Sequence, residues 1–100
     1  MSNGMSQHLL RILAGLSIDG DRITLEDLIT NVEYRAGKAP TPDEINHAMA
    51  MSPLLCVRRD GAELTIGVGG GVSKLVTADD LRKVLMRRAQ QEGGGLSAIR

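Results

Sequence analysis

The chain has 100 residues, 12 Lys+Arg against 12 Asp+Glu, and 42% hydrophobic residues. That suffices for one modest core and one domain, and so balanced a charge does not by itself mark a nucleic-acid binder. No stretch approaches the ~20 apolar residues of a membrane span, no signal-peptide series opens the chain, and the single Cys56 supports neither an internal disulfide nor a multi-cysteine zinc site.

A cytoplasmic protein without metal or cofactor is therefore expected. Tyr34 is the only aromatic residue, so the core has to be built from Leu, Ile, Val and Met. Stacking on bases has one platform at most.

Residues 1–5 read as a flexible start and Ser6 as an N-cap. Leu9, Leu10, Ile12, Leu13 and Leu16 follow at helical spacing and predict a first amphipathic helix that ends in the turn around Asp19-Gly20. Arg22-Ile23 is a short extended piece. Thr24 and Asp27 form a T-x-x-D start for a second helix, whose apolar face is Leu25, Leu28, Ile29 and Val32 and whose end is Gly37.

Thr41-Pro42-Asp43-Glu44 is the strongest local signal: an N-cap threonine, a proline at the first helical position and a glutamate at N3. The third helix should turn Ile45, Ala48, Met49 and Met51 inward and stop at Pro53. Two β-prone runs, Leu54–Arg59 and Ala62–Val68, flank Asp60-Gly61 and predict a hairpin. Leu55 and Val57 share one face, as do Leu64 and Ile66, with Ile23 pairing beside them as a third strand. Four glycines between Gly67 and Gly71 read as a flexible turn. Thr77 and Asp80 open a last helix over 77–91 with Leu81, Val84, Leu85 and Met86 on its apolar face. Gly93-Gly94-Gly95 should end it and leave 92–100 as a flexible tail.

The order helix, short strand, helix, helix, hairpin resembles the winged helix, a helix-turn-helix variant. The stretch Thr41–Met51 followed by Leu54–Ile66 carries the likeness. The expected fold is mainly α with a small β-hairpin: a winged-helix domain over 6–91, including one C-terminal helix. The resemblance names no subfamily, and the fold does not fix a function.

Two functional readings stand. The resemblance implies duplex-DNA binding in a regulatory role. The third helix would lie in the major groove with Thr41, Asp43, Asn46, His47 and Ala50 towards the bases, Asn46 reading adenine, while Arg58 and Arg59 of the wing meet phosphate. Against this, Asp43 and Glu44 are negative and the third helix holds no Lys or Arg.

The charge is also uneven. Residues 1–53 have 4 basic and 7 acidic side chains and residues 54–100 have 8 and 5. Lys74, Arg82, Lys83, Arg87 and Arg88 thus form a secondary basic surface or simply the solvated face of the last helix. The second reading is a winged-helix module for protein–protein contact or assembly. In it the wide apolar arc of the first helix could seat a second copy as a homodimer.

No catalytic constellation is visible. His8 and His47 lie on different helices, and Cys56 reads as a buried small hydrophobe. Asp19–Asp27 echoes a calcium loop. Setting Ile23 at its central apolar position puts Leu16, Ile18 and Gly20 at ligand positions, and the match fails. Gly67–Lys74 echoes a phosphate loop but lacks its Gly-Lys-Ser/Thr ending.

Overall fold

The computed structural model describes residues 3–61, 63–69 and 75–99. The elements are α1 (Asn3–Asp19), β1 (Arg22–Thr24), α2 (Leu25–Ala36), α3 (Pro42–Ala50), β2 (Leu55–Asp60), β3 (Glu63–Val68) and α4 (Ala78–Ile99). The predicted helix–strand–helix–helix–strand–strand order with a C-terminal helix is the observed one.

Helix α1 begins at Asn3, earlier than the Ser6 cap expected. Met5 is the reason: it is buried and extends the inward stripe of Leu9, Leu13 and Leu16 by one turn, so burial holds that turn. Leu10 and Ile12 pack against the core from the sides. The helix closes when Gly20 takes φ +73°, its N–H donating to Leu16 O at 2.8 Å.

Helices α2 and α3 start where their caps predict. Thr24 Oγ1 accepts from Asp27 N–H at 3.0 Å. Thr41 Oγ1 accepts from Glu44 N–H at 3.2 Å, while Glu44 Oε1 accepts from Thr41 N–H at 2.8 Å, so two orphan donors are satisfied reciprocally. Leu25, Leu28, Ile29 and Val32 of α2 and Ile45, Ala48 and Met49 of α3 are all buried. Met51 is not: it is the C-cap residue of α3 and stands 60% exposed, because the helix ends before its stripe returns to the core.

The three strands form an antiparallel sheet in the order β1-β3-β2. Ile23 pairs with Ile66, and Val57 also pairs with Ile66 from the other side. Leu55, Val57, Leu64 and Ile66 face the core. The alternation puts Cys56 on the opposite face, where it is half-buried and not the core residue expected.

Gly67 is likewise no turn residue. It lies in β3, and a Cβ there would sit 2.5 Å from Arg22 Cγ and 2.9 Å from Asp21 O. Its bare backbone is the floor on which the Arg22 stem rests. Gly70 and Gly71 lie outside the described residues.

Helix α4 is capped by Thr77, whose Oγ1 accepts from Asp80 N–H at 3.2 Å as Asp80 Oδ2 accepts from Thr77 N–H at 2.9 Å. Leu81 and Val84 are buried, whereas Leu85 and Met86 are 46% and 55% exposed. The apolar face is narrower than expected because α4 packs on the rest of the domain along one edge. The helix also continues through Gly93-Gly94-Gly95 to Ile99. Glycine ends a helix by taking a left-handed conformation; in a helical one it only weakens the helix, by about 1 kcal/mol relative to alanine.

Candidate functional site

The five residues expected to meet DNA lie on α3 and β2, and the fold gives them different work. Thr41 caps α3 as described, and its side chain remains at an exposed position. His47 is exposed on the same helix.

Asn46 is half-buried and engaged at both ends of its amide: Nδ2 donates to Val76 O at 2.8 Å, and Oδ1 accepts from Val76 N–H at 2.7 Å. Val76 is itself buried, so this pair stitches the segment before α4 onto α3 as a strand partner would. A bidentate contact with adenine would need the same two atoms.

On β2, Arg58 is exposed. Arg59 Nη2 forms an ion pair with Asp80 Oδ2 at 2.7 Å and donates to Leu75 O at 3.3 Å. Partial burial works against the charge of Asp80, but the Arg59 guanidinium and the Thr77 backbone and hydroxyl donors outweigh it and hold the carboxyl below its ordinary value. This clasp joins the hairpin to the cap of α4.

The secondary basic surface divides in the same way. Arg82 and Lys83 both pair with Asp79 one turn earlier on α4, Lys83 at 3.5 Å, and the Arg82 and Lys83 contacts lower the Asp79 pKa. Arg87 pairs with Glu26 at 3.4 Å and Arg88 with Glu33 at 2.7 Å, with Arg88 also donating to Thr30 Oγ1. Glu26, Thr30 and Glu33 recur at i, i+4 and i+7 along α2, so α4 lies on a polar stripe of that helix. Lys74 lies outside the described residues.

The caps were legible locally. The partners of Asn46, Arg59, Arg87 and Arg88 were not, since T-x-x-D marks Asp80 as a capping residue and nothing near it points to Arg59.

Several apolar side chains remain at the surface. Met51 and Leu54, at the turn after α3, are each 60% exposed. Tyr34 on α2 is 91% exposed. The arc of α1, expected as a seam for a second copy, is narrower than the sequence suggests because Leu10 and Ile12 pack on the core.

Among the described residues no group of three His, Cys, Asp or Glu is placed to hold a metal ion. Among them, too, no helix is long and apolar enough to cross a membrane. Comparison with family models, curated proteins and solved structures returns no match for this chain.

Proposed function

We propose that this domain is a non-enzymatic interaction module of winged-helix type that docks a protein partner, in place of a reader of bases in duplex DNA. The observation that carries the reading is how its polar groups are used. The Asn46 amide is committed to Val76, and Arg59, Arg82, Lys83, Arg87 and Arg88 are all ion-paired within the chain. Counterion release from DNA needs cations that can turn to phosphate, and pulling Arg59, Arg87 or Arg88 away would cost contacts that hold α4.

The turn after α3 instead presents Met51 and Leu54 to solvent, the kind of apolar spot that protein interfaces cover. The test has two arms. A duplex-DNA titration at several salt concentrations is expected to show no saturable binding at micromolar protein. A photo-crosslinking residue at Leu54, introduced in cells, is expected to capture a discrete protein where one at Asp60 does not. Micromolar duplex binding that weakens steeply with salt overturns the reading.

Duplex DNA is the second reading. It is favoured by the exposure of Thr41 and His47 on α3 together with Arg58 on the hairpin, the placement that the winged-helix resemblance implies for groove and phosphate contacts.

A further inference from the structure

A second feature stands apart from α3 and the hairpin. A cleft of about 290 Å3 opens where the start of α1, the end of α2 and the first turn of α3 meet, lined by Gly4, Met5, His8, Arg35, Ala36, Lys38 and Glu44. Its size is just below the range of small-ligand sites, roughly 300–1,000 Å3, and suits a small ligand only. Gly37 takes φ +82° to end α2 between Arg35 and Lys38, both of which line the cleft. Of the α1 residues lining it, Met5 is buried and His8 half-buried.

The charge here is arranged unlike that around α4. Arg59, Arg82, Lys83, Arg87 and Arg88 have carboxylate partners. Among the described residues, Arg35 and Lys38 make no ion pair, and both are exposed. The carboxylate in the cleft, Glu44, is held in place because its Oε1 accepts from the Thr41 N–H at 2.8 Å. Two cations and an imidazole in one lining suit an oxyanion. The fixed Glu44 carboxylate in the same lining suits a hydroxyl donor on the same molecule and penalises a second anionic group.

We propose that this cleft binds a small hydroxylated phosphate monoester: the phosphate on Arg35 and Lys38 with His8 as a further donor, and a ligand hydroxyl donating to Glu44. The site is independent of the surface at Met51 and Leu54, and it stands or falls separately from the proposed docking of a protein.

The test is a titration of the full chain with glycerol 3-phosphate, followed by backbone amide NMR shifts. Saturable shifts are expected at Gly4, His8, Arg35, Lys38 and Glu44. The double variant Arg35→Gln with Lys38→Gln should weaken binding at least ~10-fold while the amide spectrum away from the cleft stays unchanged, as expected for two exposed positions. Glu44→Gln should reduce the preference for glycerol 3-phosphate over inorganic phosphate.

The proposal is overturned by an absence of saturable shifts up to ~10 mM ligand, far weaker than a site of this kind requires, or by equal affinity in the double variant. Shifts at these residues with a short DNA duplex and none with glycerol 3-phosphate overturn it as well, and would assign the two cations to a nucleic-acid backbone.

Discussion

Asn46 has a surface residue's sequence context and a core residue's task. Removing its amide leaves the N–H and C=O of Val76, a buried residue, without their partner. Asn46→Ala is therefore expected to cost about 1–3 kcal/mol of stability. A urea denaturation midpoint that falls with an unchanged slope checks it; a specific base-reading role alone would leave that midpoint where it is.

Gly67 makes a sharper case. A methyl group there meets Arg22 Cγ at 2.5 Å and the Asp21 carbonyl at 2.9 Å. The arginine stem can move, but the backbone oxygen belongs to the chain entering β1. Gly67→Ala should destabilise the fold by about 1–3 kcal/mol, the usual range for overpacking, read as a lowered thermal midpoint. Thr41→Ala, by comparison, removes one cap and should cost about 1 kcal/mol.

At the scale of elements, α4 is held by a short apolar edge, Leu81 and Val84, and by polar contacts at both ends of its described side chains. Asp80 joins three of these: the cap of α4, the hydroxyl of Thr77 and the guanidinium of Arg59. Its folded pKa is depressed, so its contribution to stability is full above the unfolded value of about 3.9 and is lost as pH falls through the folded value.

The domain should accordingly lose stability in acid, and Asp80→Asn should flatten part of that loss. Denaturation midpoints at pH 6 and pH 3 for the two proteins measure the effect. Asp79 is also depressed, but it is exposed and screened, so Asp79→Asn is expected to change the pH profile far less. Salt is the matching probe of the Arg87–Glu26 and Arg88–Glu33 pairs. These are partly shielded from solvent, and ~1 M NaCl should lower stability only modestly.

For the whole molecule, the relevant quantity is the cation charge left over after the internal pairs are made. The C-terminal half carries the net positive charge in sequence, yet most of its described cations are neutralised by carboxylates of α2 or of α4. If the duplex reading holds, Arg58→Ala should weaken binding on all sequences and flatten the salt slope by up to roughly 1 unit, since Arg59 is engaged with Asp80. If the domain docks a protein through Met51 and Leu54, that substitution should leave crosslinking at Leu54 in place. The two outcomes separate a charge-driven surface from an apolar one.

The order of elements, their caps and most of the core were determined by the sequence alone. Threonines 24, 41 and 77 each cap the helix predicted from them, and the Asp60-Gly61 turn sets the hairpin register from Asp60↔Glu63 to Leu55↔Val68. These are local matters: a cap reaches three residues, and periodicity repeats within one helix.

Tertiary structure decided what the polar side chains do. Asn46 meets Val76 across 30 residues, Arg59 meets Asp80 across 21, and Arg88 meets Glu33 across 55. It also decided which apolar residues of α4 stay outside, why β3 needs a glycine, and that His8, Arg35, Lys38 and Glu44 share one cleft. Such pairings arise when preformed helices and a hairpin dock. Their energies depend on distances between distant parts of the chain, which no run of neighbouring residues encodes.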